Sequence, residues 1–314
     1  MNVHKLDNIA NLPENIIVTI GMFDGVHLGH KKILSFLKDK AAENKMTPVV
    51  VTFNKHPRIV LNNDAQSLKL LNTEEERYRI LEHYGIDNVV EVDFTPEIAE
   101  LSTYYFTKQY LVDLLKIKGL VLGYDNMFGN KKINDFHRIF ELAKEYDFFI
   151  EVCSPYVHNG IDVSSTQVRN ALNNGNIDLA NNMLGYDYFA KGCIIKGRQI
   201  GRTIGFPTAN IELNNHLKIL PKEGVYATVI TLNGTSYVGM ANIGTQPTFE
   251  SYKPTFEIHI IDFAGDIYGQ SIKVYFIERI RDIQKFDNAQ SLMKQLELDK
   301  ELCLKIIGKR NSYE

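Results

Sequence analysis

Two histidines three residues apart, His27 and His30, stand in the stretch Gly21-Met22-Phe23-Asp24-Gly25-Val26-His27-Leu28-Gly29-His30. Paired imidazoles in a glycine-rich turn suit the handling of an anion, because the backbone approaches a ligand closely and the free amides of a helix start favour negative charge. The chemistry that fits is nucleotidyl transfer. There an acceptor phosphate attacks the α-phosphorus of a nucleotide, pyrophosphate leaves, and no protein nucleophile is needed. Gly21, Phe23, Asp24 and Gly29 are candidate members of the same nucleotide-binding turn. No Gly-x4-Gly-Lys-Ser/Thr loop occurs in the chain, which argues against an ordinary P-loop kinase.

Two further groups carry phosphate chemistry in their residue types. Val163-Ser164-Ser165-Thr166-Gln167-Val168-Arg169 offers hydroxyls and amides at a helix start with an arginine one turn in. That is an ordinary N-cap, and equally a seat for a triphosphate on Ser164, Ser165, Thr166 and Arg169. Gly197-Arg198-Gln199-Ile200-Gly201-Arg202-Thr203-Ile204-Gly205-Phe206-Pro207-Thr208-Ala209-Asn210 crowds glycines and basic residues before a Pro-Thr-Ala-Asn turn. Thr208 and Asn210 are neutral oxygen donors of the sort that hold magnesium together with substrate phosphates. Glu257, in Thr255-Phe256-Glu257-Ile258-His259-Ile260-Ile261, shares a strand face with His259 and is a candidate general base.

The elements that must position these residues are readable from periodicity. Ile16–Ile20 reads as a short buried strand, and Ile33, Leu34, Leu37 and Ala41 recur at helical spacing, so the histidine turn joins a strand to a helix. Strand-like runs at Pro48–Phe53, Asn88–Val92, Gly119–Gly123 and Phe148–Val152 alternate with helical segments. One of these has a capping box, Thr73 with Glu76, and Gly85 at its end; others run through Phe106–Leu115 and Asn134–Tyr146. This predicts an α/β doubly wound parallel sheet, with ligands at the carboxyl ends of its strands. After about Gly185 the pattern becomes strands and turns, with Asn233-Gly234 as a hairpin signal and a terminal helix over Ala289–Ile306. An antiparallel barrel or sandwich with one helix is expected there. The division falls at 1–186 and 187–314.

Composition bounds the rest. The 314 residues suit two domains, and 44% hydrophobic with 23% charged residues is ordinary for a globular protein. A net charge of −3 gives no reason to expect nucleic acid, and no apolar run is long enough for a bilayer. Cys153, Cys193 and Cys303 have no metal-ligand spacing and read as reduced thiols. The expectation is a cytoplasmic enzyme, a monomer or weak homo-oligomer, whose partners are small molecules.

Taken together these motifs resemble the bacterial bifunctional riboflavin kinase/FAD synthetase (FMN adenylyltransferase) family over nearly the whole chain. The resemblance rests on the histidine turn, Thr52-Phe53 with His56-Pro57, Val163–Arg169, and Gly201-Arg202 through Asn210. Gly224-Val225-Tyr226, Asn242-Ile243-Gly244 with Pro247-Thr248-Phe249, Phe256–His259 with Asp262-Phe263, and Arg281 with Lys285-Phe286 continue it. It implies an N-terminal half that joins FMN and ATP into FAD, with His27 and His30 on ATP phosphates and Ser165, Thr166 and Arg169 closing on the triphosphate. It implies a six-stranded Greek-key barrel that phosphorylates riboflavin. There Thr208 and Asn210 would hold Mg2+ and ATP beneath the Gly197–Gly205 flap, with Gly201, Arg202, Gly205 and Pro207 as further binding positions. Glu257 would take the proton of the ribityl 5′-hydroxyl, and Arg281 would be a flavin-side contact. Asp125 and the following Phe128-Gly129 are kept, but Asn126 and Met127 depart from the family pattern. So does Thr52–Pro57, which lacks a proline before His56. The alternative expectation is therefore a riboflavin kinase with a weakened or inactive adenylyltransferase half.

Overall fold

The apolar runs of the first half assemble into one six-stranded sheet. β1 (Asn2–Lys5), β2 (Ile16–Ile20), β3 (Thr47–Phe53), β4 (Asn88–Val92), β5 (Gly119–Gly123) and β6 (Phe149–Cys153) lie in the order β1-β4-β3-β2-β5-β6. Every pairing is parallel. The computed structural model describes residues 1–56, 69–124, 136–158, 160–197, 201, 204–247 and 252–311. From β2 the chain steps outward through β3 to β4, then returns to place β5 on the other side of β2. The strand order thus reverses beside β2, the position where open α/β sheets bind ligands.

Both faces of the sheet are covered, as continuous apolar strands require. Ile17, Val50, Val89 and Val121 point to one face, packed by Leu34, Leu37 and Ala41 of α1 (Leu28–Asn44) and Leu81 of α2 (Glu74–His83). Their neighbours Ile16, Val18, Val49, Val51, Val90 and Leu120 point to the other, against Phe106 and Leu111. That second layer holds α3 (Pro96–Glu100), α4 (Thr103–Phe106) and α5 (Ile139–Glu145). The capping box of α2 is present, with Glu76 N donating to Thr73 Oγ1 and Thr73 N to Glu76 Oε2. The helix expected over Phe106–Leu115 is instead α4 continued by a wider π-helix, Thr107–Leu114. A short ribbon of β7 (Val157–His158) and β8 (Ile161–Asp162) follows β6.

Beyond it, α6 (Ser165–Asn173) and α7 (Ile177–Leu184) precede a closed antiparallel barrel. β9 (Phe189–Ile195), β10 (Ala209–Leu213), β11 (Gly224–Leu232), β12 (Thr235–Pro247), β13 (Tyr252–Ile260) and β14 (Ser271–Arg281) close in the order β10-β13-β12-β11-β14-β9. The Asn233-Gly234 hairpin turns as expected, with φ positive at both residues. The barrel interior is aromatic: Phe276 stacks on Phe256 and Tyr188 and meets Tyr226 edge-on. The C-terminal helix α8 (Ala289–Asn311) lays Cys303 and Ile307 on the outer face, against Ala227, Met240 and Phe206. Asn181 of α7 donates to Phe276 O and accepts from Tyr188 N, which fastens that helix to the barrel. The chain divides into two compact units, Met1–Ser165 and Thr166–Glu314. The helices α6 and α7 are thus counted with the barrel, although composition changes only near Gly185.

Candidate active sites

In the first unit the histidine turn leaves β2 through a backbone bent by positive φ at Phe23, Gly25 and Val26. Phe23 and Val26 are buried and anchor the turn from below. His27 is the N-cap of α1: its Nδ1 accepts the His30 amide at 3.4 Å. An acceptor Nδ1 places the hydrogen of neutral His27 on Nε2. The His30 ring stacks on His27 at 3.7 Å and leans on Phe23 at 5.0 Å. Its own Nδ1 is buried with no hydrogen-bond partner among the described residues, so its hydrogen also belongs on Nε2. Burial, and secondarily the neighbouring His27, hold His30 well below the ordinary histidine range, so the His30 ring is neutral. Gly29 suits this packing, since a Cβ there would sit a tight 3.1 Å from the His27 ring and from Val163 O.

Asp24 is buried, and its carboxylate accepts the amides of Leu71 and Asn72 at 3.0–3.1 Å. Its charge is engaged in bracing the segment that leads into α2. Ser165 Oγ donates to Asp24 O at 2.8 Å, so the serine loop and the histidine turn do meet within this unit. Arg77 of α2 is a brace with no forerunner in the motifs. Its guanidinium donates to Met22 O at 3.0 Å and Phe53 O at 2.9 Å, tying the loops after β2 and β3 together. Gly21 donates to Val51 O. Ser164 is half-buried; Thr166 and Arg169 lie on α6, exposed and half-buried respectively. Asp125, Asn126 and Met127 lie outside the described residues.

In the second unit Gly201, Ile204, Phe206, Thr208, Asn242 and Glu257 line a cavity of about 350 Å³ on the outer side of the barrel. Its other walls are Arg281 with Ile283, Gln284 and Phe286 from the loop after β14, and Leu292 and Leu296 of α8. Polar side chains such as Thr208, Asn242 and Glu257 and apolar ones such as Phe286, Leu292 and Leu296 thus share its lining. Antiparallel register brings Glu257 between Asn210 of β10 and Asn242 of β12. Thr208 Oγ1 donates to Glu257 Oε2 at 3.4 Å. His259 Nδ1 donates to Pro207 O at 2.9 Å and fixes the Pro-Thr-Ala-Asn turn on β13. Burial, opposed by that hydrogen bond, pushes the His259 pKa down. Gly197 passes so close to Asn210 that a Cβ would fall 1.8 Å from its Nδ2. Gly205 has φ of +80° in open space. Arg202 lies outside the described residues.

The family model for FAD synthetase matches residues 9–167, and that for riboflavin kinase matches residues 184–307. The bifunctional riboflavin kinase/FMN adenylyltransferase of Listeria monocytogenes is 36% identical over 290 residues, 91% of each chain. That of Bacillus subtilis is 36% identical over 92% of each chain. The Escherichia coli K12 protein of the same description is 34% identical over 98% of this chain and 97% of its own. The chain belongs to the bifunctional riboflavin kinase/FMN adenylyltransferase family. A crystal structure from Streptococcus pneumoniae, described as a macrolide-efflux protein, aligns with a TM-score of 0.87 at 31% identity. It covers 96% of this chain and 99% of that one, so the likeness in fold extends over both units.

Within this family frame, the described residues contain no cluster of three or more His, Cys, Asp or Glu placed to hold a metal ion. A magnesium that arrives with nucleotide phosphates needs fewer protein donors than such a cluster. Thr208, Asn210 and Glu257 are hard oxygen donors of the fitting kind. No described helix is long and apolar enough to cross a membrane. Asn242 was within reach of sequence reasoning, since it opens the Asn-Ile-Gly motif, but only the strand register reveals that it faces Glu257.

Proposed function

We propose that the barrel unit phosphorylates riboflavin to FMN at the Thr208–Glu257 cavity, and that the parallel-sheet unit adenylylates FMN to FAD at the histidine turn. The observation that carries the first assignment is Glu257, hydrogen-bonded to Thr208 in the wall of a cavity that Phe286, Leu292 and Leu296 also line. A flavin ring would lie against Phe286, Leu292 and Leu296, with its ribityl chain directed to the carboxylate. Glu257 takes the proton of the 5′-hydroxyl as that oxygen attacks the γ-phosphorus of ATP; the bond to the β-γ bridging oxygen breaks and ADP leaves. Thr208 and Asn210 would hold Mg2+, which supplies charge neutralisation on the phosphates. Gly201, Arg202, Gly205 and Pro207 are assigned to nucleotide binding in the flap.

In adenylyl transfer an FMN phosphate oxygen attacks the α-phosphorus of ATP and pyrophosphate departs. His27 and His30 act as neutral Nε2–H donors to the phosphoryl oxygens, beside the amides at the start of α1. Gly21, Phe23 and Gly29 shape the turn, and Asp24 holds it as a positioning residue. Ser164, Ser165, Thr166, Arg169 and Asp125 are assigned to ATP or flavin contact on the strength of the family pattern. We assign adenylylation to residues 1–186 and phosphorylation to residues 187–314. The enzyme is taken to act in the cytoplasm, as a monomer or weak homo-oligomer, on free flavins and ATP.

Glu257→Gln tests the assignment. It should abolish FMN formation from riboflavin and leave FAD formation from FMN intact. FMN formation at an unchanged rate would remove Glu257 from the mechanism.

A further inference from the structure

We propose that Asp299, on α8, is a positioning residue of the barrel cavity: it holds Arg281 and, through it, the 282–286 wall against which the flavin lies. The inference rests on the reading of that cavity as the riboflavin site.

Asp299 is 1% exposed, a carboxylate enclosed beneath the C-terminal helix. Arg281, the last residue of β14, donates from Nε to both its oxygens, at 3.0 and 2.9 Å, and from Nη2 to Oδ2 at 2.7 Å. Gln295, one turn earlier on α8, adds a bond from Nε2 to Oδ1 at 2.9 Å. The remaining arm of the guanidinium, Nη1, donates to Asp282 O at 3.1 Å. Arg281 lines the cavity, yet its charge is matched inside the protein. Its Cζ also lies 5.8 Å from the centroid of the Phe286 ring, another wall residue.

A buried ion pair is seldom the most stabilising way to fill such a space; apolar residues of similar volume often do as well. What the bidentate fork supplies is fixed geometry. Here it joins the end of β14 to α8, and the loop between them carries Ile283, Gln284 and Phe286. Leu292 and Leu296, on the same helix as Asp299, complete that side. Loss of the carboxylate would free the loop from the helix and leave a bare cation in an apolar wall. Riboflavin binding is the step that should suffer, while the Thr208–Glu257 end keeps its geometry.

The test measures kcat, and KM for riboflavin and for ATP, in full-length Asp299→Asn, with FAD formation from FMN assayed in the same preparation. The riboflavin KM should rise about tenfold, as expected when one partner of a buried pair is lost, with kcat, the ATP KM and FAD formation within about twofold of wild type. Arg281→Lys should raise the same KM, and the double variant should be no worse than the weaker-binding single variant. An unchanged riboflavin KM, additive effects, or a joint fall of kcat and both affinities with the melting temperature would overturn the proposal. If Asp299→Asn does not fold, Gln295→Met removes one bond and keeps the pair. It should raise the riboflavin KM about two- to threefold, and no change would likewise overturn it. Wild-type protein that forms no FMN would refute the cavity assignment itself, a distinguishable failure.

Discussion

His30 lies with its Nδ1 enclosed and its ring on His27, so protonating it would place a charge without a partner beside a second imidazole. Its pKa in the folded chain is therefore below the 6.5 of an exposed histidine. Between those two values the unfolded chain binds more protons than the folded one, so stability rises with pH through that window. It is fully present above 6.5 and is lost as pH falls toward the lowered value. Melting temperatures measured across this range should fall on acidification, with a shallower slope in His30→Gln. His259 contributes with the same sign in the barrel unit, so the slope should not vanish. Parallel slopes in wild type and variant would contradict the burial argument. The identities of His27, His30, Thr208 and Glu257 were legible from residue type and spacing. The engagements of Asp24 and Arg281 were not, because their partners lie 47 and 18 residues away and no local pattern announces them.

At the scale of elements, the strands were the most legible parts. Asn88–Val92 and Gly119–Gly123 have the bounds that the apolar runs imply, because strands covered on both faces read as nearly continuous apolar runs. β1 has only four residues at the sheet edge, too few to establish a period. The spacing in Phe106–Leu115 suits an ordinary helix; the wider turn of the π-helix Thr107–Leu114 still brings Leu111 and Val112 into the core, so apolar spacing does not distinguish the two. Asp24 belongs to this scale, since it joins the β2–α1 turn to the segment entering α2. Asp24→Asn keeps one acceptor oxygen but removes the charge and sets an NH2 against Leu71 N, where Oδ2 accepts in the native protein. It should cost the first unit about 1–3 kcal/mol in chemical denaturation and impair FAD formation more than FMN formation. A variant with wild-type stability and equal loss of both activities would contradict the brace.

For the whole molecule, two compact units of different architecture each carry one constellation, and each matches its own family model. The change from α/β alternation to turns and strands was legible, because helical and strand periods differ. The exact place of division was less so: α6 and α7 have helical patterns like those of the first half, yet pack on the barrel through contacts such as Asn181 with Phe276. The departures at Asn126 and Met127 give the alternative of a kinase with an impaired adenylyltransferase half its specific content. The most direct measurement is to incubate the purified protein with FMN, ATP and magnesium and to follow FAD and pyrophosphate. Two working sites predict equimolar FAD and pyrophosphate here, and FMN followed by FAD when riboflavin replaces FMN. Accumulation of FMN from riboflavin with no FAD or pyrophosphate in either incubation would contradict the account.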